Sequence, residues 1–403
     1  MEGKYKMPIT KLPGVYYNEN VDFELVGEGS KIPVFIGYTG NTGSETYKVD
    51  GTQIQTFSHW SEVNQAVANG GLGVYADDTT NILLKTLKEF FEESALTTSA
   101  DVGVPYIYVI DLGEATDKDN WLTALSTAKS KAEATVEVYV GVEKITGDYT
   151  AKDFLEAAYT SIMTEAHILK LRIGLTTKFD ASTNIHSSDV DSALIELTKK
   201  DNGLQRSRIG IIEPYLFGKT VARICLTPYN IEPGYMEYRS VTPGTFIDRT
   251  PAEQLKLQNA GIIFNRDEVL TSATHPKINL AVSTSFASNP RPADALFHAR
   301  INADHLLLQV FDTLYPQIKA NETATQFAYL QTQIDKLIDK EVQAENMIKY
   351  NEKTNDGTKL IIAESDNNPY DAIVTGQIQP VNCTVAIEVQ AELKAAASKA
   401  VQK

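Results

Sequence analysis

From residue 381 to 393 apolar and polar side chains alternate without a break. Val381, Cys383, Val385, Ile387, Val389, Ala391 and Leu393 fall on one side of an extended chain, and Asn382, Thr384, Ala386, Glu388, Gln390 and Glu392 on the other. Period two predicts a strand with one buried face. At roughly 3.3 Å per residue it would span about 43 Å, far beyond the usual strand of about 5 or 6 residues. Ordering so long a stretch costs more backbone entropy than its mid-sized side chains return by burial, so ladder hydrogen bonds to an acceptor edge must complete the balance. That edge lies either within the same domain or, by strand addition, on a neighbouring copy. The interior of the strand carries no Pro or inward charge of the kind that blunts exposed edges. At the other end of the chain, Pro13-Gly14 reads as a turn leading into an extended piece, Val15, Tyr16 and Tyr17.

Between these ends the pattern changes period. Residues 31–38 form an apolar run ended by Gly37, Gly40 and Gly43, a buried strand; 58–69 and 81–94 have the spacing of amphipathic helices. A rhythm follows, with strands at 104–112, 135–142, 172–177 and 208–213 and helices at 118–131, 150–170, 188–200 and 217–226. Continuous apolar strands alternating with helices predict a mainly parallel sheet covered on both faces. Pro228, Pro233, Gly234, Pro243, Gly244 and Pro251 then mark a boundary. Beyond it the pattern predicts a helix at 251–260, strands at 262–265 and 277–286, and long helices at 292–314 and 323–350. Short strands at 357–363 and 371–375 flank an Asn367-Asn368-Pro369 turn. The expected organisation is an extended arm (1–22), an α/β domain (23–250), a C-terminal α+β core domain (251–380), and a strand arm with a Lys- and Ala-rich tail (381–403).

The length of 403 residues fits two or three domains, and 42% hydrophobic with 22% charged residues is an ordinary globular balance. A formal charge of -15 argues against a general binder of nucleic acid or of anionic membrane. Cys225 and Cys383 give neither a disulfide framework nor metal-ligand spacing, which fits assembly in a reducing cytoplasm. No basic-then-apolar leader opens the chain and no apolar run approaches a membrane span.

A parallel α/β sheet invites a search for a nucleotide site. Gly218-Lys219-Thr220 looks like the end of a phosphate-binding loop, but the loop's first glycine falls at Glu213, a carboxylate that would repel phosphate. Gly70-Gly71-Leu72-Gly73 lacks dinucleotide spacing and reads as a loop. His298 and His305, near Asp294 and Asp304, share a helix face seven residues apart, whereas a metal pair needs i, i+4; a solvated or interface face is the expectation. Asp77-Asp78 and the 117–120 stretch are acidic turns or helix starts. No nucleophile elbow appears. The residues predict no catalytic, cofactor or metal site, and no enzyme.

Taken in order, four places resemble the contractile tail sheath family of contractile-tailed phages, R-type tailocins and related injection systems. They are Leu12-Pro13-Gly14-Val15-Tyr16 with Glu19; Ile32-Pro33-Val34-Phe35-Ile36-Gly37-Tyr38-Thr39-Gly40; Ala260-Gly261-Ile262-Ile263 with the helix 294–314; and Asp366-Asn367-Asn368-Pro369, Gly376-Gln377-Ile378 and the final strand. The chain departs from the family in lacking a clear Arg-Thr pair before the final helices, and its middle matches only in type. The resemblance implies a subunit that stacks in hexameric rings around an inner tube as a helical polymer and contracts without nucleotide hydrolysis. Its implied partners are other copies of itself, the tube protein, and baseplate and tail terminator proteins, with no nucleic acid, membrane or cofactor. It implies a place in a virion tail or extracellular particle assembled in a bacterial or archaeal cytoplasm. Pro13, Gly14, Val15, Tyr16 and Tyr17, with Val381, Cys383, Val385, Ile387, Val389 and Leu393, are then the strands exchanged between subunits. One long C-terminal helix would face the tube through charge complementarity. The competing readings are a soluble α/β enzyme or ligand-binding protein, with a pocket at the C-terminal edge of its strands, and another tail or baseplate subunit.

Overall fold

The computed structural model describes residues 31–40, 47–72, 81–96, 103–113, 117–131, 133–164, 172–178, 188–198, 208–227, 238–241, 249–268, 277–280, 297–314, 316, 324–364 and 372–380. Its centre is a seven-stranded sheet. Ile32–Gly37 (β1), Gln55–Phe57 (β2), Ile107–Asp111 (β3), Ala134–Val140 (β4), Ile173–Thr176 (β5), Ile209–Ile212 (β6) and Ile262–Ile263 (β7) lie in the order β2-β3-β1-β4-β5-β6-β7. All neighbours are parallel except the edge pair β2–β3. Apart from β2, every position of the seven strands is buried, which is why most of these segments read as near-continuous apolar runs.

Helices cover both faces. Trp60–Ala68 (α1), Ile82–Ser94 (α2) and Phe217–Leu226 (α6) pack on one side around Phe35, Val138, Leu87, Phe90 and Val221. Lys118–Lys129 (α3), Ala151–Thr164 (α4), Ser188–Thr198 (α5) and Pro251–Asn259 (α7) pack on the other around Trp121, Tyr139, Phe154 and Ile211. The fold class is therefore mixed α/β with a mostly parallel central sheet, as the periodicity predicts.

Three local differences have physical causes. The edge strand β2 is three residues long, too short to show alternation. The expected strand at 262–265 divides, with Ile262 and Ile263 pairing β6 while Asn265–Glu268 (β8) pairs antiparallel with Lys277–Leu280 (β9). Consequently α7 and β7, which follow the expected boundary at residue 250, complete the first sheet. Thr250 starts α7 with a capping box to Glu253 and Pro251 at the first turn.

The remaining described residues form a smaller layer. Phe297–Leu314 (α8) and Ala324–Gln343 (α9) pack together, and α9 also packs under an antiparallel hairpin of Lys359–Glu364 (β10) and Ala372–Gln377 (β11). Leu306, Val310, Ile334, Ile338, Met347, Leu360 and Ile362 make its core. The helix expected to run to residue 350 stops at Gln343. Glu345 turns left-handed (φ 61°), and the amides of Glu345 and Asn346 donate to the carbonyls of Val342 and Glu341. This is a Schellman closure built on Glu where Gly is usual.

Candidate functional site

Strand order reverses at β1, which has β3 on one side and β4 on the other. In open α/β sheets ligands enter beyond the C-terminal strand ends at such a point. Here the chain itself fills the place. A Cβ on Gly37 would lie 2.6 Å from the Val140 carbonyl oxygen. The Tyr38 amide donates to Val140 O (3.3 Å), and Leu83, in the first turn of α2, donates to Tyr38 O (3.1 Å). The Asp111 carboxylate accepts from the Thr39 hydroxyl (2.6 Å) and the Gly113 amide (2.8 Å).

The phosphate-loop-like residues are likewise engaged. The Gly218 amide donates to Glu89 Oε2 (2.9 Å), Lys219 Nζ meets Glu92 (3.0 Å) and Ser240 O (3.3 Å), and the Thr220 hydroxyl pairs with the Tyr238 hydroxyl (2.7 Å). A Cβ on Gly218 would overlap the Thr86 carbonyl, so its glycine serves close packing of α6 on α2. Burial holds Glu89 up at about 7 and lifts Glu213 above the ordinary carboxylate range against the pull of Arg249, 2.8 Å away. Burial also pushes the Cys225 thiol up to about 12, where it is no nucleophile. His305 Nε2 lies 2.7 Å from Gln309 Nε2 and 3.9 Å from Glu341; the side chains of Asp294 and His298 lie outside the described residues. Among the described residues no group of three His, Cys, Asp or Glu could hold a metal, and no helix is long and apolar enough to cross a membrane.

The C-terminal hairpin is different. Leu360 and Ile362 turn inward onto the α9 core, while Ile361 and Ile373, diagonal neighbours on the opposite face, stay 44% and 40% exposed. The peptide groups of Leu360 and Ile362 point away from β11, because the side-chain amide of Gln331 on α9 bonds them at 2.9 and 3.0 Å. Antiparallel alternation then makes Lys359–Gln377, Ile361–Thr375 and Ala363–Ile373 the bonded pairs. The peptide groups of residues 372, 374 and 376 face outward, with no strand beside them among the described residues. At the end of β11 the chain is pinned. The Ile348 amide donates to Gln379 O (2.9 Å), the Gln379 amide to the Thr358 hydroxyl (2.9 Å), and Pro380 bridges Met347. The alternating segment 381–393 therefore starts from a fixed point.

All eleven residues expected in exchanged strands (Pro13, Gly14, Val15, Tyr16, Tyr17, Val381, Cys383, Val385, Ile387, Val389 and Leu393) lie outside the described residues. The open edge and its exposed isoleucines escaped sequence reading, although a signal exists. Leu360-Ile361-Ile362 puts three apolar residues in succession on a strand with only one covered face, so one must point out.

Buried arginines join elements far apart in sequence, and one of them joins the sheet to the smaller layer. Arg208, at the start of β6, grips Asp304 of α8 with two bonds of 2.9 and 3.0 Å, and Arg172 pairs with Glu137 at 2.6 Å. Arg223 of α6 pairs with Glu93 of α2 at 2.7 Å. Lys31, where residues 1–30 join β1, donates to the carbonyls of Ile224 and Thr227 at the end of α6, the end that favours cations.

In three dimensions the chain has the fold of contractile sheath proteins. By sequence it matches no family profile and no curated protein. A chain from the six-fold symmetrised cryo-EM structure of the anti-feeding prophage baseplate superposes with a TM-score of 0.61 at 13% identity, covering 96% of this chain and 100% of that one. A chain of the contracted PVC sheath complex, from an extracellular contractile injection system, gives 0.56 at 12% identity over 95% and 98%. The crystal structure of a sheath tail protein from Listeria innocua gives 0.53 at 8% identity over 89% and 94%.

Proposed function

We propose that this chain is the structural subunit of a contractile sheath. It polymerises as stacked hexameric rings around an inner tube and contracts to drive that tube through a target envelope. The observation that carries the reading is the outer edge of β11, which has no strand beside it among the described residues, flanked by exposed Ile361 and Ile373, in a chain whose alternating segment 381–393 follows the pinned Pro380. An edge needing a strand and a strand needing an edge, repeated on every copy, generate an open polymer when the pairing runs between copies. The segment 13–17 serves as a second exchanged strand, entering its own subunit at the anchored Lys31. Other copies, the tube protein, and baseplate and terminator proteins are the partners, without nucleic acid, membrane or enzymatic chemistry. The particle is a virion tail or extracellular device assembled in the host cytoplasm.

The domain division follows as 1–22, an α/β unit from 23 that carries on past β7, a C-terminal core to 380, and the arm 381–403. Contraction draws on contacts between subunits, which fits a chain whose switch point is packed with its own residues. A baseplate position is the second reading, because one similar chain comes from a baseplate. Negative-stain electron microscopy of the concentrated chain separates them. Hollow ribbed tubes are expected of a sheath subunit; uniform small particles, with or without tube protein present, would overturn the sheath reading.

A further inference from the structure

A two-stranded hairpin has two outer edges, and among the described residues this one leaves β11's without a neighbouring strand. On β10 the carbonyl of Leu360 accepts from Gln331 Nε2 (2.9 Å), and the amide of Ile362 donates to Gln331 Oε1 (3.0 Å). In a parallel ladder a residue lying opposite Ile361 would make these same two bonds, its N–H to the preceding carbonyl and its C=O from the following amide. The carboxamide of Gln331 thus stands in for the N–H and C=O of one residue of an added strand. Its orientation is fixed from the next turn of α9, because Asp335 Oδ1 takes another bond from Nε2 (2.8 Å). An amide whose nitrogen faces two acceptors and whose oxygen faces a donor has one satisfied orientation.

We infer that Gln331 is a specificity-determining residue for assembly: it closes the β10 edge so that a strand from a second copy adds only along β11. The inference rests on the strand-addition reading for the identity of the added strand, and on the hairpin geometry for the closed edge. Exposed edges are liabilities that proteins blunt by covering them, and two open edges on one hairpin would accept a strand on either side. With one edge of the hairpin closed, the first strand to add has a single place to go, and a second can add only outside it; Gln331 removes the competing edge. Lys359, Ala363 and Ile361 on the same strand are exposed or half-buried, so side-chain bulk alone does not close this edge.

Hydrogen exchange on the full chain tests it, first dilute and then concentrated. Gln331→Met keeps volume and helix propensity and removes both bonds. In the dilute variant the Ile362 amide is expected to exchange about five- to tenfold faster, the worth of one net hydrogen bond. Gln331→Glu, which retains an acceptor for that amide, is expected to keep it slow. On concentrating Gln331→Met, Ile362 regains protection and sedimentation velocity shows a broader size distribution than the parent's. Unchanged Ile362 exchange in Gln331→Met, equal loss of protection in both variants, or faster exchange with no protection gained on concentration would each overturn the inference. The amides of Val374 and Gly376 in the concentrated parent chain report separately on strand addition. If they stay unprotected that reading falls, while the result at Ile362 still decides whether Gln331 closes the edge.

Discussion

Replacing Glu89 by glutamine should stabilise the α/β unit at alkaline pH and leave it unchanged in acid. Glu89 lies on α2 and accepts the Gly218 amide at the start of α6. Burial dominates its titration, raising it from 4.5 to about 7 against opposing pulls from Lys85, the Gly218 amide and Lys219. A raised carboxyl means that the folded state holds its proton more tightly than the unfolded chain does. The folded state is therefore favoured below pH 4.5 and loses that advantage as pH rises through 7. At ~1.36 kcal/mol per tenfold change in proton affinity, the shift corresponds to about 3.4 kcal/mol above pH 8. The side chain is only half-buried, which brings the expectation down to roughly 1.5 to 3 kcal/mol. Glutamine keeps an acceptor for Gly218 and has no charge to bury. Urea unfolding followed by tryptophan fluorescence isolates the effect, because the only two tryptophans are Trp60 on α1 and Trp121 on α3. The gain for Glu89→Gln should be near zero at pH 4.5 and reach its plateau by pH 8. An equal gain at both values, or a loss at pH 8, would refute the reasoning.

Further outcomes follow from the same structure. Asp304→Ala leaves Arg208 buried without its carboxylate and should cost about 3 to 5 kcal/mol, whereas an apolar pair of similar volume at both positions should come close to neutral; urea titrations of the three chains compare them. Gly376→Ala would drive a Cβ into the Lys359 carbonyl, so the amides of Ile373, Thr375 and Gln377, which face β10, should lose exchange protection while tryptophan fluorescence stays native. Val385→Asp with Ile387→Asp should abolish polymerisation and leave the same fluorescence unchanged; tubes formed by that double variant would sink the role of segment 381–393.

The parallel sheet was readable because its strands are buried on both faces, so β1, β3, β5 and β6 appear as largely apolar runs, while β4 alternates Thr135, Glu137 and Tyr139 with Val yet is buried throughout. Helix periodicity likewise marks α2, where Leu83, Leu87, Phe90 and Phe91 share the covered side. What periodicity hides is polar burial. Glu93 and Arg223 on helices, and Arg172 and Arg208 where strands begin, are each buried and paired with a residue far away in sequence, which no local pattern records. The end of α9 was misplaced because a left-handed closure made by Glu345 offers no glycine to read. The β11 edge is a property of what pairs with what, and no local pattern records the neighbour a strand lacks.

The grip of Arg208 on Asp304 also has a mechanical meaning. Apolar contact is indifferent to direction, so a layer held by oil alone can slide or roll on its neighbour at little cost. A guanidinium fork closed on a carboxylate fixes angle as well as distance, and this one sits at the base of β6 with α8 across it. The helix is therefore keyed against rotation about its own axis as well as held in place. Under load such a joint is stiff up to the point where water reaches the charges and then gives way abruptly, as a shear pin does.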